Sequence, residues 1–384
     1  MIINSLLEND FYIFTMWQLV LHQFPRTHVE YKFRCRNHVD LLPFKEEIEQ
    51  EIDNFCSLKF TKDELEYLKT VPFLASDFTD YLEDFRPKRK CIEVQNEQNE
   101  LAIKISGTLL NTIIFEIPIL AIVSEVYFHH KPNSLAIGRE KLYEKISLIK
   151  SSGIDLKFAD FGLRRRYSSA WQDEIDGILK KELPDNFVGT SNVFLAKKHS
   201  IKYIGTFAHL LIQLGQGLPN VHISESQRFM LDAWVNEYRG DLGIALSDTL
   251  GFDAFLRDFD LFFAKLYDGC RHDSGDPYVW CEKLIAHYEK LRIDPRTKTA
   301  VFSDGLTFPL ALDLHSKFSR RIKTSFGIGT NLTNDTGVDP LQNVIKLVKV
   351  NGYPVAKVSD SSGKGMCEDD EYLKYLKTVF KIGS

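Results

Sequence analysis

The pattern of apolar and polar positions divides the chain into two parts, and the change comes near residue 135. In the first part, stretches of helical periodicity are mixed with stretches in which apolar and polar side chains alternate. The pattern predicts helices within residues 11–24, 45–85 and 118–131, and strands at VEYKFRC, CIEVQ and LAIKISGTL. The polar NEQNE between the last two strands predicts a hairpin.

After residue 135, short apolar strands alternate with amphipathic helices. The helices are predicted over residues 139–151, 171–182, 225–238, 252–265, 278–292 and 307–318. Turns follow the strands and read DFG, GTSN, GTFAH, SD, RHDSGD, SDG and GIGT. Such alternation is typical of a parallel sheet, and seven strand ends in about 200 residues favour a closed or nearly closed β/α barrel. Because the carboxyl ends of barrel strands carry the chemistry, these polar turns indicate an enzyme.

The last part of the chain returns to a pattern of antiparallel strands. NVIKLVKVNGYPVAKVSD reads as a hairpin that turns at Asn351-Gly352. We expect this hairpin to pack against the N-terminal part of the chain.

The composition of the chain argues against several classes of protein. The 384 residues are 44% apolar and 26% charged, and the net charge of −5 provides no basic field for nucleic acid. The six cysteines have no metal-ligand spacing, which predicts reduced thiols in a cytoplasmic protein. Glu8 and Asp10 interrupt the apolar N-terminus, and no run of about 18 uncharged apolar residues occurs. We therefore expect neither a signal peptide nor a membrane span.

The segment YDGCRHDSGDP has more charged chemistry than a turn requires. The guanidinium of Arg271 suits phosphate oxygens, because its planar donors match two of them. The nearby carboxylates Asp273 and Asp276 suit sugar hydroxyls or a hydrated magnesium ion. Together these side chains predict a site for a phosphorylated sugar; the alternative is a surface turn with a local Arg–Asp pair.

Two later strand ends favour phosphate binding. Gly327, Gly329 and Thr330 follow a predicted strand, where glycines let backbone N–H groups approach a phosphate. Asp304-Gly305 ends the preceding strand and has a similar pattern. A tight structural turn is the alternative in each case, but phosphate sites in barrels often lie after the last strands.

His209 is the leading candidate for a base or nucleophile. It lies beyond the predicted strand KYIGTFAH, and Asp248 ends the next strand along the chain. A hydrogen bond from one ring nitrogen to Asp248 would leave the other nitrogen free. His272, beside Arg271, is the rival histidine.

DFGLRRRYS adds an aromatic ring and three consecutive arginines. Phe161 can stack on a planar ligand, and Arg164 to Arg166 can donate to anions. Because consecutive residues do not share a helical face, we expect one or two of these arginines to reach a ligand.

These motifs, in this order, resemble the nicotinate phosphoribosyltransferase family. The similarity runs through nearly the whole chain and includes DFYIFTM, FRCRN, DFGLRRRYS, VGTSN, GTFAH, ALSD, RHDSGDP, VFSDG, SFGIGT, VIKLV and PVAKVSD. It implies an irregular, TIM-like β/α barrel over residues 134–339, with a second α/β domain built from residues 1–133 and 340–384. It also implies a homodimer with shared active sites.

The resemblance implies a reaction and its partners. Nicotinate and 5-phosphoribosyl 1-pyrophosphate give nicotinate mononucleotide and pyrophosphate, a step of NAD biosynthesis by salvage. The resemblance also implies that ATP hydrolysis is coupled to this reaction through a phosphohistidine, with Mg²⁺ as cofactor. It does not specify which residues bind the metal.

The resemblance also assigns roles to individual residues. His209 matches the phosphorylated histidine and Asp248 the carboxylate that orients it. Nicotinate would be held by Tyr12, Phe161, Arg164 and Ser191. The phosphates and ribose would be held by Arg36, Arg271, Asp273, Asp276, Asp304, Gly305, Gly327, Gly329 and Thr330. Of these, Tyr12 and Arg36, together with Asp10, would come from the partner subunit.

Ser191 favours nicotinate over nicotinamide. Related nicotinamide enzymes have an aspartate at this position, which would repel the carboxylate of nicotinate, whereas a serine hydroxyl can donate to it. The chain departs from many bacterial relatives at Ile13 and at Leu210, where a lysine and a glutamate are common. A nicotinamide or quinolinate enzyme and a non-catalytic paralogue, the latter suggested by Leu210, are the alternatives.

Overall fold

The strands form two separate sheets in the computed structural model, which describes residues 1–132, 134–361 and 363–383. In chain order the strands are β1 (His28–Cys35), β2 (Ile92–Glu97), β3 (Glu100–Thr108), β4 (Phe158–Asp160), β5 (Phe187–Thr190), β6 (Ile244–Leu246), β7 (Gly269–His272), β8 (Thr299–Phe302), β9 (Lys323–Ile328), β10 (Asn343–Val350) and β11 (Tyr353–Pro354).

Helices cover both sheets. Over the same ranges they are α1 (Phe11–Gln23), α2 (Lys45–Cys56), α3 (Lys62–Lys69), α4 (Ser76–Asp84), α5 (Leu109–Thr112), α6 (Glu116–His129), α7 (Leu135–Ser152), α8 (Ser169–Glu182), α9 (Val193–His199), α10 (His209–Gly215), α11 (Ser226–Tyr238), α12 (Phe252–Asp258), α13 (Leu261–Leu266), α14 (Pro277–Lys290), α15 (Phe308–Phe318), α16 (Thr330–Thr333) and α17 (Asp370–Val379).

The antiparallel sheet joins the two ends of the chain. Its strand order is β11-β10-β1-β3-β2, and β10 pairs with β1 in a register that places Phe33 opposite Ile345. Asn351 and Gly352 both have positive φ angles, 51° and 84°, as a two-residue hairpin turn requires. The predicted C-terminal hairpin and its packing against the N-terminal part are confirmed.

The second sheet is parallel and has the strand order β5-β4-β9-β8-β7-β6. The segment around Tyr203 fills the space between β5 and β6. It forms a parallel bridge with Thr190, and the Thr206 hydroxyl donates to the Ile244 carbonyl at 2.7 Å. Gly189 permits this approach, since an added Cβ would lie 2.0 Å from the Lys202 carbonyl oxygen. The seven predicted strand ends therefore surround an irregular β/α barrel, as expected.

The prediction of one helix over residues 252–265 is wrong. The structure has two short helices, α12 and α13, separated at Phe259 and Asp260. Asp260 begins α13 as its N-cap, because its carboxylate accepts from the backbone N–H groups of Phe262 and Phe263. The apolar periodicity continues across this break, so the pattern alone suggested one helix.

The segment Leu109–His129 is long and apolar enough to span a membrane by length and composition alone. Within the protein, 83% of its most apolar window is buried. It comprises α5 and α6, and α6 packs against α2 and β10 as a core helix. The predicted domain boundaries stay a prediction, and residue 133, where one of them falls, lies outside the described residues.

Candidate active site

A pocket of about 590 Å³ lies at the carboxyl ends of the parallel strands, between the barrel and β10. Its size is that of a typical small-molecule site. Seven cationic side chains line it: Arg36, Arg164, Arg165, Arg271, Lys346, Lys357 and Lys364. The acidic lining residues are Asp10, Glu116, Asp273, Asp304 and Asp335. Positive groups therefore outnumber negative groups, and the pocket suits a polyphosphate ligand.

His209 and Asp248 meet as predicted. The His209 Nε2 lies 2.8 Å from Asp248 Oδ1 and 3.4 Å from Asp273 Oδ2. Burial lowers the pKa of His209 to about 4, and Lys357 lowers it further, although both carboxylates oppose the shift. The imidazole is therefore neutral at physiological pH, and Nε2–H donates to Asp248.

The second oxygen of Asp248 has two donors. Ser274 Oγ donates to Asp248 Oδ2 at 2.7 Å, and Lys357 Nζ lies 3.0 Å from the same oxygen. Burial alone would raise the pKa of Asp248, but Lys357 and His209 hold it well below its usual range. Asp248 is thus ionised, and both of its carboxylate oxygens have partners: Oδ1 faces His209, and Oδ2 faces Ser274 and Lys357.

His209, Asp248 and Asp273 are also close enough to be considered as metal ligands, with donor atoms within 4.8 Å of one another. The ammonium of Lys357, however, lies 3.0 Å from Asp248 and 3.8 Å from Asp273. It already provides the positive charge that a cation would bring, so the group does not fit a resident Mg²⁺. Mg²⁺ commonly reaches such sites bound to substrate phosphates, and that is the form expected for this pocket.

The rival histidine has a structural position. His272 is buried, its Nε2 lies 3.1 Å from the Gly275 carbonyl oxygen, and it does not line the pocket. Asp276 also lies outside the pocket: it is exposed and caps α14 by accepting from the N–H groups of Tyr278 and Val279. The prediction that Asp276 reaches the ribose or phosphates therefore has no support in this geometry, since the cap occupies its carboxylate.

The three consecutive arginines separate into three environments. Arg164 lines the pocket, where Tyr12 and Asp10 favour its charged form against the effect of burial on its pKa. Arg165 also lines the pocket, and burial and Arg164 lower its pKa to about 10. Arg166 is fully buried and pairs with Glu8 and Glu125. Two arginines therefore face a ligand and the third is structural.

Phe161 and Tyr12 both line the pocket. The Tyr12 side chain is buried, and its hydroxyl lowers the pKa of the nearby Asp10 carboxylate. Gly327 does not line the pocket; a Cβ at this position would lie 2.2 Å from the Phe161 ring. The glycine thus lets this ring lie against β9, and its predicted contact with phosphate is replaced by a packing role.

Ser191 has an unexpected partner. Its hydroxyl donates to Asp10 Oδ1 at 2.6 Å, and both residues line the pocket. Burial raises the pKa of Asp10, whereas the Ser191 hydrogen bond lowers it. The pocket therefore has a carboxylate beside the position where the sequence predicted only a neutral donor.

The other predicted phosphate residues line one end of the pocket. Gly329 and Thr330 begin α16, and Asp304 and Gly305 follow β8. Lys364 forms an ion pair with Asp304 across this end.

Three of the lining residues come from the N-terminal part of the same chain as the barrel. Asp10 bonds to Ser191 within the chain, Tyr12 lies in the same pocket, and Arg36 donates to the Lys364 carbonyl oxygen at 3.0 Å. The contacts of Asp10, Tyr12 and Arg36 lie within their own chain, so this pocket does not support the prediction that a partner subunit provides them.

Sequence reasoning missed the lysines of the C-terminal segment. Lys357 lies within PVAKVSD, which was recognised as a motif without a role for its lysine, and Lys346 lies within VIKLV. Burial and Lys357 lower the pKa of Lys346 to about 7. A lysine within an otherwise buried strand was the signal that could have identified Lys346.

Comparisons with known proteins agree with this geometry. The model of the nicotinate phosphoribosyltransferase (NAPRTase) family matches residues 156–384, and that of the NAPRTase N-terminal domain matches residues 7–124. A Chromobacterium violaceum nicotinate phosphoribosyltransferase is 52% identical over 99% of this chain and 98% of its own length. A Bordetella petrii nicotinate phosphoribosyltransferase is 50% identical over 100% and 99%.

Solved structures give the same result. The crystal structure of nicotinate phosphoribosyltransferase from Vibrio cholerae has a TM-score of 0.95 and 39% identity, covering 100% of this chain and 95% of that chain. The Porphyromonas gingivalis structure has a TM-score of 0.93 and 35% identity, covering 99% and 100%. Fold and pocket together define a phosphoribosyltransferase built on an irregular α/β barrel. Within that class, the chain belongs to the nicotinate phosphoribosyltransferase family and is an enzyme.

Proposed function

We propose that this enzyme transfers the phosphoribosyl group of 5-phosphoribosyl 1-pyrophosphate to nicotinate, in NAD biosynthesis, and couples the transfer to ATP hydrolysis. The observation that carries the proposal is the combination, in one pocket, of an excess of cationic side chains with a neutral histidine bonded to an ionised aspartate. Full-length similarity to nicotinate phosphoribosyltransferases supports the choice of substrates.

In the transfer step, the pyridine nitrogen of nicotinate forms a bond to C1 of the ribose. The bond between C1 and the pyrophosphate oxygen breaks, and its electron pair leaves with pyrophosphate. Arg36, Arg165 and Arg271 line the pocket and would neutralise the leaving group, and Mg²⁺ bound to pyrophosphate would add to this effect. Phe161 and Tyr12 hold the ring, which fixes the direction of attack.

In the ATP step, His209 is the phosphoryl acceptor. Its Nδ1 has no hydrogen bond within the part of the chain that the structure describes, and its Nε2 is held by Asp248. A neutral imidazole has a lone pair on Nδ1, which can attack the γ-phosphorus of ATP. Leu210, beside His209, is an apolar pocket residue, so no carboxylate adjoins the histidine in sequence.

The test is one reaction that contains purified protein, nicotinate, phosphoribosyl pyrophosphate and Mg-ATP, in which nicotinate mononucleotide and ADP are counted together. Equal amounts of the two products support coupled transfer. Mononucleotide without ADP indicates an uncoupled transferase, and the absence of mononucleotide contradicts the proposal. His209→Asn should abolish the stimulation by ATP but leave some transfer; stimulation that persists would place the phosphoryl acceptor elsewhere.

Nicotinamide is the matched control substrate. The carboxylate of Asp10, 2.6 Å from the Ser191 hydroxyl, could accept a hydrogen bond from an amide. Turnover of nicotinamide at a rate similar to that of nicotinate would favour the amide as a second substrate. The homodimer and the cytoplasmic location stay predictions. A homodimer would require no exchange of Asp10, Tyr12 or Arg36 between its subunits.

A further inference from the structure

We propose that Lys357 is a positioning residue that fixes Asp248 and thereby keeps the Nδ1 of His209 free for reaction. This role rests on the proposed phosphorylation of His209. It belongs to a lysine on the C-terminal segment, more than 100 residues from either partner in sequence.

The backbone around Lys357 is bonded to both elements that carry its partners. Ala356 exchanges two hydrogen bonds with the Gln216 side chain, each 2.8 Å long, at the end of α10, the helix that begins with His209. The Val358 N–H donates to the Thr249 carbonyl at 2.8 Å, directly after Asp248. The position of the segment that holds Lys357 is therefore fixed relative to both the histidine and the aspartate.

A second set of bonds holds the other side of the segment. Lys357 and Met366 exchange backbone hydrogen bonds of 3.0 Å and 2.9 Å, and the Asp360 N–H donates to Ser274 Oγ at 3.0 Å. Ser274 in turn donates to Asp248. With its backbone restrained on both sides and its side chain 4% exposed, Lys357 has little freedom to leave Asp248.

Three charged groups face His209: Asp248 after β6, Asp273 after β7, and Lys357. Without Lys357, two carboxylates would surround the imidazole with no cation between them. Such an environment favours a second proton on the ring. A doubly protonated imidazole has no lone pair on Nδ1, so it cannot accept a phosphoryl group.

The covalent step balances with this arrangement. The Nδ1 lone pair forms the bond to the γ-phosphorus, and the bond from that phosphorus to the bridging oxygen breaks, with its electron pair leaving on ADP. No proton must leave Nδ1, and the Nε2 proton stays in its hydrogen bond to Asp248. Lys357 takes no part in bond making; it acts through its contact with Asp248 and through its positive charge near the imidazole.

The experiment is a titration of His209 by NMR in protein labelled with ¹⁵N-histidine, with the His209 signal identified by its absence in His209→Asn. In the unmodified protein, His209 should stay neutral from pH 8 down to pH 5.5, about 1.5 units above its pKa of about 4. In Lys357→Met, the midpoint should rise by at least about one pH unit, a roughly tenfold gain in proton affinity.

Matched variants separate charge from structure. Lys357→Arg keeps the charge and should keep the low midpoint. Ser274→Ala removes a neutral donor from the same Asp248 oxygen and should move the midpoint much less. Lys349→Met removes a partly exposed lysine of β10 and should move nothing. Should Lys357→Met fail to fold, Lys357→Gln gives the same readout, since it keeps a donor but not the charge.

Single-turnover phosphorylation by γ-labelled ATP completes the test. In Lys357→Met the rate at pH 5 should fall at least about twofold relative to its own value at pH 8, because a midpoint near 5 leaves about half of the imidazoles protonated, whereas the rate of the unmodified protein should fall by only about a tenth. An unchanged His209 midpoint together with a higher KM for ATP would overturn the proposal and make Lys357 a simple anion ligand. A shifted midpoint in a protein that never becomes phosphorylated would support the positioning role and refute the phosphohistidine.

Discussion

Arg164, Arg165 and Arg166 are neighbours in sequence, but only the first two can meet a ligand. Arg166 lies in the interior, where Glu8 and Glu125 compensate its charge and the Ser169 hydroxyl also donates to Glu8 at 2.9 Å. Removing one partner from a buried ionic group leaves uncompensated charges, which costs far more than the loss of a surface ion pair.

We therefore expect opposite phenotypes from two adjacent substitutions. Arg166→Met should lower the free energy of unfolding by roughly 3–5 kcal/mol, because Glu8 and Glu125 lose their cation. Arg164→Met should leave the unfolding free energy nearly unchanged but reduce kcat/KM for nicotinate at least tenfold, a loss of about 1.4 kcal/mol or more. Urea unfolding and steady-state kinetics on both variants make the comparison, and equal stabilities would contradict it.

We expect the Ser191 and Asp10 pair to determine how much negative charge the pocket tolerates beside its ligand. Ser191→Asp would place a second carboxylate beside Asp10, where burial already raises the pKa of the first. We expect kcat/KM for nicotinate to fall at least tenfold, or about 1.4 kcal/mol, with a smaller loss in Ser191→Ala. Kinetics with nicotinate and nicotinamide in both variants would test this, and unchanged nicotinate kinetics in Ser191→Asp would remove Ser191 from substrate choice.

At the scale of elements, β9 and the loop after β4 are fitted to each other. The Phe161 N–H donates to the Ile328 carbonyl at 2.9 Å, and Gly327 leaves room for the Phe161 ring. The position of the Phe161 ring in the pocket thus depends on a strand residue that does not line the pocket.

Gly327→Ala tests this dependence. The new methyl group would displace the Phe161 ring, so we expect a raised KM for nicotinate and a loss of stability of about 1–3 kcal/mol from overpacking. The double variant Gly327→Ala with Phe161→Ala should recover stability but not nicotinate binding, because the clash is gone and the ring is missing. Thermal unfolding and the KM for nicotinate would be measured in the two single variants and the double variant. Additive losses of stability would rule out the contact between residue 327 and the Phe161 ring.

The barrel and most of its helices could be predicted from sequence, because strand–helix alternation follows local patterns. His209 and Asp248 could also be paired, since the segment before His209 lies beside β6 and both lead to the same end of the barrel. The break at Asp260 was missed because a capping residue does not disturb apolar periodicity. The role of Lys357 was missed because its contact joins segments that no local pattern connects.

At the scale of the whole molecule, the pocket is built by one chain from three distant parts. α1 provides Tyr12, the barrel provides His209, and the segment after β11 provides Lys357. The pairing of β1 with β10 is what brings the two chain ends to the same side of the barrel.

Because Asp10, Tyr12 and Arg36 line the pocket of their own chain, we expect activity that does not require association. Dilution through the range in which any dimer dissociates should leave the specific activity per chain unchanged, because Asp10, Tyr12 and Arg36 all act in cis. Activity assays paired with light scattering at each concentration provide the measurement. A fall in specific activity that follows the loss of a dimer would show that the second subunit is needed.

The position of Lys357 near the end of the chain also bears on the assembly of the site. The set of charged neighbours around His209 is complete only when the segment that holds Lys357 is folded against Asp248. We expect a chain that lacks the segment around Lys357 to lose the proposed phosphorylation of His209. The arrangement would then tie that proposed step to a segment that lies far from the histidine in sequence.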